Sequence, residues 1–151
     1  MPMARIQTIL VPVDFSPHAE RALETAVELA KVFGAKIHLL HCYQINLGGI
    51  SPYGLAIPEN FDRDVRAAAQ RKLDEWAGKV KAGGVEVEGL VSPMFPGMTI
   101  PATAEEIGAD LIVMGTRGLT GLKHVLLGSV AERTIRVAAC PVLTVKVAER
   151  D

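Results

Sequence analysis

Short runs of apolar residues alternate along the chain with segments in which apolar residues recur every three or four positions. An apolar run is typical of a strand buried on both faces, and the second spacing is typical of a helix with one buried face. Strands that alternate with helices favour a parallel sheet, because a parallel connection needs a crossover. The pattern therefore predicts one α/β domain spanning residues 1–151.

The same pattern predicts where the strands and helices lie. The predicted strands cover residues 9–13, 36–42, 85–91, 110–114 and 142–147. The predicted helices follow Ser16, run from Phe61 to Gly83, and cover residues 99–107 and 129–137. The first helix has clear ends, because Ser16 is a capping residue, Pro17 suits the first helical position and Gly34 suits the end. The buried helix faces are predicted to include Ala19, Leu23, Ala26, Val27, Ala30 and Phe33 in the first helix, and Phe61, Val65, Ala69, Leu73, Trp76 and Val80 in the second.

Two prolines constrain these boundaries. Pro12 lacks the N–H that a central strand would use, so it must lie near the end of its strand. Pro101 must lie in the first turn of its helix, or that helix begins elsewhere. Both residues therefore test the predicted boundaries.

The segment after the fourth predicted strand has glycines at a defined spacing. Gly115 is followed by Gly118, and then by Gly128 with Ser129 directly after it. Glycine lets a backbone approach a ligand closely, and a helix beginning near Ser129 would direct unpaired N–H groups and a positive dipole end at an anion. This favours a phosphate chain as the ligand. The alternative is that these are ordinary turn glycines.

Five parallel strands joined by right-handed crossovers form a doubly wound sheet, in which ligands bind where the strand order reverses. If the first and fourth strands flank that point, the loop of residues 13–16 faces the loop of residues 115–118. Asp14 would then lie opposite the glycines, where a carboxylate could accept hydrogen bonds from ribose or act on phosphates through a metal ion. The alternative is that Asp14 orients the turn ahead of Ser16.

Several segments together resemble the ATP-binding branch of the universal stress protein family. They are ILVPVDFS at residues 9–16, IHLLH at residues 37–41, DLIVMG at residues 110–115, the spacing G-x2-G-x9-G-S, and CPVLTVK at residues 140–146. The resemblance covers nearly the whole chain. It departs at Met94-Phe-Pro96, where the family commonly has Gly-x-Pro, and in the loop of residues 46–58, which has no fixed family pattern.

The resemblance implies a Rossmann-like sheet of order 3-2-1-4-5 with helices on both faces, and a site for ATP with Mg²⁺ or Mn²⁺. It implies that Pro12, Val13 and Asp14 border the adenosine, that the backbone at Cys42 meets adenine, that Met114, Gly115 and Gly118 line the ribose and phosphate approach, and that Gly128, Ser129, Val130 and Ala131 cradle the phosphates. It also implies a homodimer that pairs through residues 142–147, a strand whose edge position would invite a second strand.

Composition and charge narrow the function classes. Sixteen basic and seventeen acidic residues leave a net charge of −1, which argues against a nucleic-acid partner. No apolar stretch has the length of a membrane span, and no charged-then-apolar leader is visible, so we expect a cytoplasmic protein without a membrane partner. Cys42 and Cys140 lie in apolar contexts without metal-ligand spacing, which indicates buried small hydrophobes.

The cations of the glycine segment are the remaining candidates for phosphate contact. Arg117, Lys123 and His124 could reach terminal phosphates, with Arg117 favoured because guanidinium binds phosphate bidentately. The alternative for each is a solvated loop residue. Of the other histidines, His18 is expected at the surface, while His38 and His41 are expected to be structural.

The favoured hypothesis is an ATP-binding regulatory module of stress response that acts on an unknown protein partner, with no catalytic residues. One alternative is a slow ATPase or phosphotransfer enzyme. It is disfavoured because DFSP at residues 14–17 differs from the HxGH and SGGxDS motifs of related folds. The other is a nucleotide-free dimerising stress protein, which the intact glycine spacing disfavours.

Overall fold

The computed structural model of the protein describes residues 5–44, 59–117 and 127–147. Within these residues, five strands form one parallel sheet of order β3-β2-β1-β4-β5. Each neighbouring pair of strands runs in the same direction. The predicted doubly wound sheet and its order are confirmed.

The strands lie close to their predicted positions, with shifted ends. They are β1 Thr8–Pro12, β2 Lys36–Cys42, β3 Val87–Ser92, β4 Leu111–Gly115 and β5 Val142–Val145. The start predicted for β3 is wrong because the N–H of Val85 turns back to the Val80 carbonyl at 3.4 Å. The predicted end of β5 at residue 147 is also wrong, since the strand ends at Val145. Pro12 is the last residue of β1, as its missing donor required.

The helices are α1 Pro17–Phe33, α2 Glu59–Ala82, α3 Pro96–Ile107 and α4 Ser129–Val137. The predicted ends of α1 are confirmed. The Ser16 hydroxyl accepts a hydrogen bond from the Ala19 N–H at 3.1 Å, and Gly34 ends the helix at φ 68° in the left-handed region.

The predicted start of α3 at residue 99 is wrong. The helix begins at Pro96, three residues earlier, and Pro101 lies inside it rather than in its first turn. Pro96 is suited to the first helical position because its missing N–H would have no helical partner there. Pro101 gives up one hydrogen bond of the helix, the one that would reach the Gly97 carbonyl.

Two apolar clusters cover the two faces of the sheet. One packs β1 and β2 against α1 and α2, and the other packs the opposite face against α3 and α4. The prediction that Phe33 and Phe61 are buried is wrong, because each is 40% exposed. Phe33 is the last residue of α1 and Phe61 lies in the first turn of α2, so both lie at helix ends.

A helix that spans a bilayer needs about 20 mainly apolar residues. No helix in the described ranges is both long enough and apolar enough to do so.

Candidate functional site

The carboxyl ends of β1, β2 and β4 meet at one edge of the sheet. Their last residues are Pro12, Cys42 and Gly115. β1 pairs with β2 on one side and with β4 on the other. The strand order therefore reverses between β1 and β4, which is the position where open α/β sheets form a ligand crevice.

The loop from β1 to α1 is held by hydrogen bonds on both sides of Asp14. The Val13 N–H donates to the Leu40 carbonyl at 2.8 Å, and one Asp14 carboxylate oxygen accepts from the Ser16 N–H at 3.0 Å. Through this oxygen Asp14 orients the turn ahead of Ser16, as the alternative interpretation of Asp14 predicted. Phe15 lies between these contacts at φ 63° and is the one residue besides glycine with positive φ in the described ranges.

Aromatic side chains from β2 and α2 pack against Phe15 of this loop. The Phe15 ring lies 4.4 Å from the His41 ring and 5.2 Å from the Trp76 ring, measured between centroids. The Lys72 ammonium lies 4.8 Å from the Phe15 centroid, where it makes a cation–π contact. The loop is thereby connected to β2 and to α2.

His41 also contacts the loop backbone, with Nδ1 lying 2.8 Å from the Val13 carbonyl oxygen. Because a carbonyl only accepts, Nδ1 carries the proton and donates it. Burial lowers the pKa of His41, and the bond to Val13 and the nearby Asp14 carboxylate oppose that shift. The expected structural role of His41 is confirmed.

Gly115 allows the end of β4 to contact the first turn of α1. A Cβ at this position would lie 3.0 Å from the His18 Cβ, 3.1 Å from the His18 carbonyl oxygen and 3.2 Å from the Arg117 carbonyl oxygen. Such distances are tighter than a Cβ normally makes, so a side chain here would force the neighbouring backbone to shift by a few tenths of an ångström. His18 is half-buried here, so the expectation that it lies at the surface is wrong.

The N-terminus of α4 is tied to the end of β4 through Gly128. The Gly128 N–H donates to the Thr116 carbonyl at 2.6 Å, and a Cβ on Gly128 would lie 3.2 Å from that oxygen. Gly128 caps the helix with no side-chain hydrogen bond. The next three amides, of residues 129–131, have no carbonyl partner within the helix. They add to the positive end of the helix dipole.

The predicted site residues divide into those that offer side chains and those that offer backbone. Val13, Met114 and Ala131 have side chains buried in the apolar clusters, and Val130 packs against one of them. Val13, Met114 and Ala131 could therefore present only backbone to a ligand. Ser129 is exposed, and Asp14 and Arg117 are half-buried.

Cys42 is half-buried and packs against the apolar cluster under α3 and α4. Burial raises the pKa of its thiol to about 11, and a hydrogen bond with the Thr99 side chain opposes the shift. Burial also raises the pKa of Cys140, which packs against the same cluster. Both thiols are therefore protonated at neutral pH, and both are half-buried rather than fully buried as predicted.

Some predicted residues lie outside the described ranges, and two described residues were missed. Gly118, Lys123 and His124 fall outside them. Thr116 was missed because its role depends on a backbone carbonyl, which has no side-chain signature. Phe15 was missed although an aromatic residue inside an Asp-x-Ser turn is a usable signal.

A protein site for a metal ion needs several donor side chains that lie close together. Among the described residues, no group of three or more His, Cys, Asp or Glu side chains could hold a metal ion.

Comparison with known proteins places the chain in a family. The sequence pattern of the Universal stress protein family matches residues 5–146. The chain is similar to Universal stress protein MJ0531 of Methanocaldococcus jannaschii, with 35% identity over 95% of this chain and 84% of that protein. It is similar to Universal stress protein YxiE of Bacillus subtilis, with 33% identity over 91% of this chain and 97% of that protein.

Solved structures give the same result. The structure of MJ0577 has a TM-score of 0.82 at 29% identity and covers 97% of this chain and 100% of its own. A universal stress protein in complex with cAMP has a TM-score of 0.70 at 27% identity, covering 96% of this chain and 100% of its own. One from Archaeoglobus fulgidus in complex with dAMP has a TM-score of 0.65 at 27% identity, covering 93% of this chain and 98% of its own. The chain therefore belongs to the universal stress protein family.

Proposed function

We propose that this protein binds ATP at the carboxyl edge of its sheet and acts as a nucleotide-dependent regulatory module in stress response. The observation that supports this best is the junction of β4 with α4. There the helix begins without a side-chain cap, and the amides of residues 129–131 have no carbonyl partner within the helix. Backbone amides at such a helix start suit phosphate.

The proposed ligand spans the crevice from β2 to α4. The adenosine lies along Pro12, Val13 and Asp14, with adenine against the backbone at Cys42. The ribose and phosphates pass Met114, Gly115 and Gly118 and end on Gly128, Ser129, Val130 and Ala131. Arg117 provides the guanidinium that pairs with a phosphate.

The two glycines of the described site are compatible with this path, because both lie where the chain packs closely against other backbone. A Cβ on Gly115 would come within 3.0 Å of His18, and one on Gly128 within 3.2 Å of the Thr116 carbonyl. The N–H groups left to bind an anionic chain near these glycines are those at the start of α4, of residues 129–131.

Two structural neighbours support an adenine nucleotide as the ligand class, since they are complexes with cAMP and dAMP. ATP is the finer proposal, supported by the length of the glycine segment and by the family resemblance. Mg²⁺ or Mn²⁺ would enter with the nucleotide, because Mg²⁺ is usually held by phosphates, waters and one or two carboxylates. In the described loops that carboxylate would be Asp14.

We propose that the site holds ATP with little turnover. Hydrolysis needs a group that orients or deprotonates the attacking water near the terminal phosphate. The sequence from Gly115 to Ala131 contains no Asp, Glu or Gln. A site that binds the ground state and the transition state equally well does not accelerate the reaction.

We further propose a homodimer through β5, within a single domain over residues 1–151. β5 lies at the sheet edge with β4 as its partner. Ile135 of α4 and Leu143 of β5 are 47% and 38% exposed, which gives the edge apolar flanks. The regulated partner would be a further, unidentified protein.

The test is direct binding by the purified protein. Mass spectrometry of the nucleotide released on denaturation would identify any ligand that copurifies. Calorimetry with ATP, AMP, cAMP and inorganic triphosphate then separates the contributions of base and phosphates. We expect ATP to bind most tightly. Failure of every adenine nucleotide to bind at millimolar concentration would contradict the proposal, and tighter binding of AMP than ATP would contradict the phosphate cradle.

A further inference from the structure

The loop between β1 and α1 contains a residue in a costly conformation. Phe15 has φ 63°, and a side chain with a Cβ is disfavoured in the left-handed region. Such outliers persist only where the surroundings hold them. The groups that hold Phe15 therefore indicate which feature of the loop is being maintained.

The conformation of Phe15 determines the path of the backbone at Asp14. Val13 is fixed on β2 through its N–H at 2.8 Å from the Leu40 carbonyl. Ser16 is 1% exposed and caps α1. Between these fixed points, the Ser16 N–H reaches the Asp14 carboxylate at 3.0 Å. Rotation of Phe15 to a right-handed φ would turn the adjoining peptides and break this contact.

One group from the sheet and two from α2 hold Phe15. Its ring contacts His41 at 4.4 Å and Trp76 at 5.2 Å, and the Lys72 ammonium lies 4.8 Å from its centroid. His41 has a second contact with the loop, because its Nδ1 lies 2.8 Å from the Val13 carbonyl oxygen. One imidazole thus contacts both the backbone before Asp14 and the side chain after it.

We propose that Phe15 and His41 are positioning residues of the nucleotide site, which hold Phe15 in the left-handed conformation so that Asp14 faces the ligand. The inference rests on the proposed nucleotide binding and deepens it. Neither side chain touches the nucleotide in this proposal. Both act through the loop backbone.

Two substitutions at one position separate positioning from packing. Phe15→Ala and Phe15→Gly both remove the ring, but only glycine adopts a positive φ without steric cost. If the ring only filled space and the left-handed conformation had no bearing on the ligand, the folded alanine and glycine variants would bind ATP with equal affinity, although their stabilities would differ. If the ring maintains the left-handed loop, glycine retains part of the binding that alanine loses.

The measurement is the ATP dissociation constant by calorimetry on full-length protein, with folding checked by circular dichroism. We expect Phe15→Ala to weaken binding at least tenfold. Phe15→Gly should bind ATP at least about fivefold more tightly than Phe15→Ala, because the left-handed conformation disfavours a residue with a Cβ by roughly that factor or more. Phe33→Ala is the matched control, because Phe33 is 40% exposed at the end of α1, and its affinity should equal that of the wild type.

His41 is tested by His41→Phe, which keeps a ring beside Phe15 but has no N–H for the Val13 carbonyl. We expect weaker ATP binding, with partial rescue in His41→Asn, whose side-chain amide restores a donor. Wild-type affinity in His41→Phe would overturn the part assigned to His41.

The outcomes separate this inference from the proposed function. A wild-type protein that binds no ATP overturns both. A wild-type protein that binds ATP while Phe15→Gly binds no better than Phe15→Ala overturns the inference and leaves the proposed function standing. If Phe15→Ala does not fold, Phe15→Leu and Phe15→Asn repeat the comparison, because Asn tolerates a left-handed φ and Leu does not. The same ranking then decides.

Discussion

Replacing Gly128 with valine tests whether the backbone at the start of α4 binds phosphate. Gly128 has φ −70° and ψ 161°, a conformation open to any residue. The new Cβ would lie 3.2 Å from the Thr116 carbonyl oxygen and 3.6 Å from the Arg117 Cα. The backbone must therefore shift by a few tenths of an ångström, and the branched side chain adds atoms at the mouth of the proposed cradle.

The two consequences differ in size. Crowding of this kind costs about 1–3 kcal/mol of folding free energy, which a folded domain of roughly 5–15 kcal/mol stability tolerates. Loss of even two charge-assisted hydrogen bonds to phosphate, each about 1.5–3 kcal/mol, weakens binding by at least about 3 kcal/mol. That corresponds to about a hundredfold or more in the ATP dissociation constant.

Calorimetry with ATP gives the affinity, and thermal unfolding followed by circular dichroism gives the stability. Gly78→Val is the matched control, because a Cβ on Gly78 in α2 meets no atom within 4 Å. We expect Gly128→Val to fold and to lose ATP binding, while Gly78→Val keeps wild-type affinity. A folded Gly128→Val protein whose ATP affinity lies within about threefold of the wild type would refute the reasoning, since that is less than 1 kcal/mol.

Three further predictions concern assembly, pH and turnover. Light scattering should give a dimer at micromolar concentration. Thr144→Pro should give a monomer. The carbonyls of Pro141 and Val145 accept hydrogen bonds from β4, and because backbone groups alternate in direction along a strand, the Thr144 N–H points to the open edge. A monomeric wild type would contradict this prediction. Burial lowers the pKa of both His38 and His41 below their ordinary 6.5. The unfolded chain therefore binds more protons than the folded one below pH 6.5, so the urea midpoint of unfolding should fall as the pH drops from 7.5 to 5. The midpoint should fall less in a His38→Gln/His41→Gln double variant, which lacks both imidazoles. A midpoint independent of pH would argue against buried neutral imidazoles. Single-turnover ATP hydrolysis should be far slower than about 1 s⁻¹, and a rate at or above that value, lost in Gly128→Val, would reveal a missed catalytic group.

Much of the fold could be predicted because its signals are local. Apolar runs marked the strands, and residues with restricted backbone geometry marked the ends of α1, where Ser16, Pro17 and Gly34 act within one turn of their own positions. The α3 boundary was predicted wrongly for the same reason. Pro101 is a strong local signal against a helix interior, yet it lies within α3 and is buried together with Ile100 and Ala104 of the same helix. The burial of this helix face outweighs the lost hydrogen bond.

The sequence alone determined the order of elements, the glycine spacing and the family to which the chain belongs, because each is a property of residue types and their separations. The tertiary structure decided what lies against what. The approach of Gly115 to His18, the bond from Gly128 to Thr116 and the cluster of Phe15 with His41 and Trp76 all join residues from different elements. Contacts between distant segments depend on how the strands align and how the helices pack on them. That alignment is set by the whole core, and no short stretch of the chain specifies it.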